Sequence, residues 1–367
     1  MARAFTFLPI LLLGLILTIQ HAHARPASIF EKIGKDISDS LELSDVGSIG
    51  NGSLPRFNSI GSFYVTGVSS GGYMAGQLHI AYSNEIKGAA IFAAGPWGCA
   101  SGSLVKALAA CTDNTADMGL PALVDAARVA SLEGTIDPIQ NIYQSPVWLF
   151  HGNADATVKK SVNDATYHFY QALSADVVYN NATIANHAWV SPLGANPCEV
   201  SASPYTSACK DMDPQAEFLT HILRRKVNPP NTKQLLGTIT PFSQDYYSRS
   251  KWALDADMLS MDTTGYIYVP PSCATSQCDV VMALHGCLQS VSMVGLDFIN
   301  QSNLNQYADT NNLIIMYPQA IALSAGVVLN PKSCWDWWSY LAMDSLYAVK
   351  GSYQMEVLMS MMRALEY

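Results

Sequence analysis

The chain is 367 residues long, 49% hydrophobic and only 13% charged, with a net charge of −9. Such a composition builds a large core and leaves no room for a long disordered tail. The acidic balance excludes a surface made for nucleic-acid phosphates, which reward Lys and Arg.

In chain order, the first segment reads as a targeting sequence. Arg3 supplies a positive start, Phe5 to Ile19 is an almost unbroken apolar run, and Ala22-His23-Ala24 offers small residues at the −3 and −1 positions of a cleavage site. The run is short for a membrane span of about 20 residues. Residues 1–24 are therefore expected to be removed as a signal peptide. The remainder is expected to be a secreted, extracellular, monomeric single domain with no membrane partner.

Residues 25–60, rich in Ser, Gly and Asn, read as an irregular lead-in. The first strand is predicted over 63–66, β-branched and aromatic, running through Gly67-Val68-Ser69-Ser70-Gly71-Gly72 into a helix over 73–83. A strand at 88–94, helices at 104–110 and 121–132, a strand at 147–150, a helix at 161–174, a strand at 176–179 and a helix at 213–226 follow. Val227-Asn228-Pro229-Pro230-Asn231 cannot continue a helix and opens a linker, read as about 227–247. Beyond it come strands at 266–269, 280–284 and 313–317, a helix near 294–309 and another from 352 to the end. Strands separated by helices imply a doubly wound, mostly parallel α/β sheet.

All eight cysteines lie beyond the leader, an even count in an exported chain, so disulfides are expected. Sequence does not fix the pairing. Proximity favours Cys99–Cys111, Cys198–Cys209 and Cys273–Cys278, which leaves Cys287–Cys334 as a long-range tie. No CxxC or HExxH pattern calls for a metal, and no cofactor is expected. Sequons at Asn51, Asn181 and Asn300 would accept glycans in a eukaryotic host.

Gly67-x-Ser69-x-Gly71 sits between a strand and a helix, the context in which this pattern forms a nucleophile elbow. The turn lifts the serine hydroxyl to the end of the sheet and points the Ser70 amide at a developing oxyanion. An ordinary Gly/Ser-rich turn would look the same in isolation, so the base and its acid decide the matter. Asp155 follows the strand ending at Phe150, where the acid of an α/β-hydrolase belongs. Asp137 and Asp164 fit that place less well. Among the histidines, His79, His168 and His221 fall on helical stretches, His151 precedes the acid by four residues and His285 belongs to another motif. His187 follows the next strand and is the expected base.

An ordinary hydrolase of this type has several strands and an oxyanion loop before its nucleophile. Here those parts come after the linker, where the strand over 280–284 ends in His285-Gly286-Cys287. A circular permutation is inferred, with the Cys287 amide as second oxyanion donor and a Cys287–Cys334 bridge holding it.

Several motifs together carry a specific resemblance: Gly67-Val68-Ser69-Ser70-Gly71-Gly72-Tyr73-Met74, the loop from His151-Gly152 to Asp155, His187-Ala188-Trp189, Tyr266-Ile267-Tyr268-Val269-Pro270, His285-Gly286-Cys287-x-Gln289 and Cys334-Trp335-x-Trp337-Trp338. The chain resembles the extracellular poly(3-hydroxybutyrate) depolymerase/esterase family, in its permuted fungal-type form, over about 60–367. The resemblance implies a one-domain α/β-hydrolase with a Ser69-His187-Asp155 triad, oxyanion amides at Ser70 and Cys287, and a polyester substrate in a surface crevice. It also implies a substrate contact from Trp335, Trp337 or Trp338. Two other readings stand beside it: a secreted esterase removing feruloyl or acetyl groups from carbohydrate, and a catalytically silent binding protein on the same scaffold.

Overall fold

The computed structural model of the chain describes residues 52–325, 328–341 and 347–366. The expected signal peptide, residues 25–51 of the lead-in and the Asn51 sequon lie outside the described residues. Strands form where β-branched and aromatic residues cluster. β1 is Ile60–Val68, β2 Ile86–Phe92, β3 Pro146–Phe150 and β4 Asp176–Asn180. Short pieces β5 (Trp189–Val190), β6 (Asn196–Pro197) and β7 (Thr206–Ala208) make a small three-stranded sheet. After them come β8 (Thr238–Ser243), β9 (Thr264–Val269), β10 (Cys278–Leu284) and β11 (Leu313–Tyr317), then a hairpin of β12 (Leu323–Ala325) and β13 (Val328–Asn330).

Eight strands make one sheet in the order β4-β3-β2-β1-β10-β11-β9-β8. The six from β4 to β11 run parallel, and β9 and β8 add antiparallel pairs at the far edge. Parallel sheets are covered on both faces, and β3 and β11 are buried at every residue. The strand period of two then sends alternate residues into two cores. Phe63, Val65, Val280 and Met282 pack on one side, while Tyr64, Val281, Ala283 and Ile315 pack on the other.

The chain starts in the middle of this sheet, builds one half outward to β4, and re-enters at the opposite edge with β8. Its terminal helix Tyr353–Arg363 returns to the start: Phe57 N–H donates to the Leu365 carbonyl at 2.8 Å, and Phe57 bridges Glu366. Ends that meet in this way make the permuted α/β-hydrolase order possible.

Two sequence expectations need correction. The stretch without helix or strand is 223–237, because the preceding helix ends at Ile222, 238–243 is β8 and Gln244–Trp252 is a helix. Pro241 masked that strand; it is tolerated because β8 lies at the sheet edge. The helix expected near 294–309 is three short ones, Val291–Val294, Asp297–Gln301 and Leu304–Asn311. Gly295 at φ 62° and Asn303 at φ 63° break it.

The cysteines pair as Cys99–Cys111, Cys198–Cys209, Cys273–Cys278 and Cys287–Cys334. Among the described residues, no helix is long and apolar enough to cross a membrane.

Candidate active site

Ser69 lies between β1 and the helix Ser70–Ala81, with φ 57° and ψ −125°. Positive φ strains a residue that carries a Cβ, and the neighbours hold it there. Ser69 N–H donates to the Phe92 carbonyl at 2.9 Å, and the Ser69 carbonyl accepts from Tyr73 N–H at 3.0 Å. The flanking glycines are required by close approach. A Cβ on Gly67 would lie 2.3 Å from the Gly71 carbonyl oxygen, and one on Gly71 would lie 2.2 Å from that of Leu284.

Asp155 follows β3 and His187 follows β4. His187 Nδ1 is 2.7 Å from Asp155 Oδ2. The second carboxylate oxygen, Oδ1, accepts from the amides of Thr157 at 2.8 Å and Val158 at 3.0 Å. Burial alone pushes the Asp155 carboxyl up. The hydrogen bond and charge of His187, with the Val158 amide and His151, outweigh burial and hold the carboxyl below its ordinary value. The acid is thus an anion at neutral pH and can only accept, so in the neutral tautomer of His187 the proton sits on Nδ1 and the lone pair on Nε2. His151 donates Nε2–H to the Val158 carbonyl at 2.8 Å, closing the loop around the acid.

Across from this pair, β10 ends and residues 285–289 turn back. A Cβ on Gly286 would sit 3.3 Å from Ser69 Cβ, so the turn abuts the elbow. Gly286 N–H donates to Gln289 Oε1 at 2.8 Å, and Leu288 N–H to the Lys332 carbonyl at 2.7 Å. Among the described residues, the amides of Ser70 and Cys287 have no acceptor. The Ser70 amide also belongs to the positive end of a helix whose first N–H groups are unpaired by construction. Among the described residues no cluster of side chains could hold a metal ion.

Ser69, His187, Gly286 and Cys287 open on one crevice of about 490 Å³, walled by apolar side chains including Leu104, Leu108, Leu329 and Trp337.

No family model matches the chain. A poly(3-hydroxybutyrate) depolymerase of Delftia acidovorans is 36% identical over 304 residues, which are 81% of this chain but 58% of that protein. The chain thus spans less than two thirds of the Delftia protein's length. A polyhydroxybutyrate depolymerase of Talaromyces funiculosus is 38% identical over 302 residues, 77% of this chain and 84% of that one. The chain belongs to the polyhydroxybutyrate depolymerase family. The crystal structure of the PHB depolymerase from Penicillium funiculosum matches with a TM-score of 0.75 and 33% identity, over 85% of this chain and 98% of that chain. The same values hold for a serine-to-alanine PHB depolymerase complexed with an R3HB trimer.

In this depolymerase-family chain the tryptophan cluster divides. Trp337 and Trp338 line the crevice, Trp338 half-buried and edge-on to Trp337 with centroids 5.2 Å apart. Trp335, one of the three candidates for a substrate contact, is instead fully buried and does not line it. Its Nε1–H donates to the His285 carbonyl at 3.0 Å, so it braces the turn from behind. Trp335 and Trp337 lie two positions apart, and the bend at 336–338 separates the side each ring takes. Tyr73 was given no role from sequence, yet its ring stacks on Trp337 at 3.9 Å and 14°, and its hydroxyl donates to the Cys111 carbonyl. Leu104 and Leu108 were also missed. Their signal was a pair of apolar residues one turn apart between two bridged cysteines. Of the remaining sequons, Asn181 is half-buried beyond β4 and Asn300 is exposed.

Proposed function

We propose that the chain is an exported serine esterase that hydrolyses poly(3-hydroxybutyrate), with Ser69 as nucleophile, His187 as base and Asp155 as its orienting acid. The observation that carries this reading is the 2.7 Å His187–Asp155 bond beside the crevice that Ser69 shares. His187 Nε2 takes the Ser69 proton as Oγ attacks an ester carbonyl. Asp155 fixes the tautomer and stabilises the imidazolium. The amides of Ser70 and Cys287 receive the negative charge on the carbonyl oxygen, each donor contributing roughly 3 kcal/mol in comparable hydrolases. The protonated His187 then gives its proton to the departing alcohol. A water activated by the same ring frees the hydroxyacid and restores Ser69.

The family relatives support a polyester as substrate, and so do the largely apolar walls, which suit a backbone bearing methyl groups. Trp337, held flat against Tyr73, offers a rigid apolar face with little entropy left to lose on binding. Four disulfides suit an oxidising compartment outside the cell.

The test is clearing of a poly(3-hydroxybutyrate) suspension by the purified protein, with a Ser69→Ala control and a feruloyl ester in parallel. Clearing by the native chain and not by the variant is the expected result. Ser69-dependent cleavage of the feruloyl ester without clearing would keep the triad and refute the polyester assignment.

A further inference from the structure

His285 touches no crevice surface, yet its surroundings dictate the geometry of the turn beside Ser69. The Ala320 amide donates to His285 Nε2 at 3.1 Å. An amide can only donate, so Nε2 is an acceptor and the ring proton sits on Nδ1. Nδ1–H then donates to the Gly286 carbonyl at 2.7 Å. A second donor, the Gln289 amide, reaches the same carbonyl at 3.2 Å. The ring is fully buried against Trp335, with centroids 5.3 Å apart. Burial holds its pKa down at about 4, against a small upward pull from the Gly286 bond, so it stays neutral in near-neutral solution.

The peptide joining Gly286 to Cys287 is planar and trans, so its C=O and N–H point in opposite directions. Pinning the Gly286 oxygen toward His285 turns the Cys287 N–H the other way. Gly286 and Cys287 face the crevice beside Ser69. The Cys287–Cys334 bridge ties the Cys287 side chain but leaves the rotation of this peptide free. Two bonds to the carbonyl oxygen set that rotation.

We infer that His285 is a positioning residue for acyl transfer: its bond to the Gly286 carbonyl fixes the peptide plane that aims the Cys287 N–H at the developing oxyanion. This rests on the reading of Ser69 and Cys287 given above. The role is distinct from that of His187, because His285 exchanges no proton during the reaction.

Two substitutions separate the two ring bonds. In His285→Asn the amide nitrogen takes the place of Nδ1, keeping the bond to Gly286 and losing the one to Ala320. In His285→Gln the amide oxygen takes the place of Nε2, keeping Ala320 and losing Gly286. Rates on a soluble p-nitrophenyl butyrate are read per Ser69 titrated by an organophosphonate, with thermal midpoints alongside. His285→Gln is expected to lower kcat about ten- to hundredfold with KM within about twofold, since a fully lost oxyanion donor costs about 100- to 1000-fold. His285→Asn is expected to stay within about fivefold of the native kcat. Equal losses in both variants, or a loss confined to KM, would overturn the inference and leave His285 a packing residue. Should the Gln variant not fold, a folded Asn variant slowed a hundredfold overturns it equally. A native chain that is neither phosphonylated at Ser69 nor active on the ester defeats the underlying reading instead.

Discussion

Asp155→Asn is the substitution whose outcome the geometry dictates most tightly. Two backbone amides, from Thr157 and Val158, point at Oδ1 and demand an acceptor there. The substituted amide must therefore place its oxygen at Oδ1 and its NH₂ at the position of Oδ2. That NH₂ then faces His187 Nδ1 at the distance now spanned by a 2.7 Å hydrogen bond. Nδ1 becomes the acceptor, and the ring proton moves to Nε2, the atom that must accept from Ser69. The imidazolium also loses its anion. In a Ser-His-Asp site this combination costs about 10⁴-fold in kcat, or about 5.5 kcal/mol of barrier. The assay is steady-state hydrolysis of p-nitrophenyl butyrate, with circular dichroism and the thermal midpoint confirming that the variant is folded. A variant that keeps more than about a tenth of native kcat would refute the assignment of Asp155 as orienting acid.

Trp337→Ala removes a crevice wall stacked on Tyr73 and is expected to raise KM for trimeric hydroxybutyrate about tenfold or more, while Trp335→Ala opens a buried void and is expected to lower stability by about 3–5 kcal/mol, read by urea unfolding. Gly71→Ala drives a methyl into two backbone carbonyls, 2.2 Å and 2.5 Å away, and should cost about 3 kcal/mol and most of the activity. Stability should fall on acidification. Burial depresses His285 to about 4 and His79 to about 3, so below about pH 6.5 the unfolded chain binds protons that the folded chain refuses. The loss starts as pH drops through the unfolded value of about 6.5 and is complete only below the folded values, reaching about 3 kcal/mol for His285 and about 5 for His79. A urea midpoint unchanged between pH 7 and pH 4.5 would contradict this.

The sequence was most legible where one physical rule acts alone. The buried strands of the sheet centre read as apolar runs, and the elbow reads from glycines that backbone contact forces. The Ser69, Asp155 and His187 loops follow from the place of each at the end of a strand. Legibility failed where two rules competed. Pro241 argued against a strand, but an edge position removes the objection. Trp335 and Trp337 are chemically alike, and only the path of the turn decides that one braces and the other faces the crevice. Leu104 and Leu108 sit on the helix Leu104–Ala109, and nothing local says which face stays open. The His285 bond to its own neighbour's carbonyl is a matter of ring orientation, which no residue pattern encodes.

The permuted order has a consequence for how the protein is made. Chains leave the ribosome from the amino end, so β1 is complete long before β10, its neighbour in the sheet. Until then, the half-sheet of β4, β3, β2 and β1 presents the bare edge of its central strand, the kind of edge that pairs with other chains. Closing a gap of such sequence separation is slow. The same order keeps Ser69 without the turn at Gly286 and Cys287 for most of synthesis. Under the proposed mechanism, the producing cell meets a harmless half-site, and esterase activity begins only when the last third of the chain has joined.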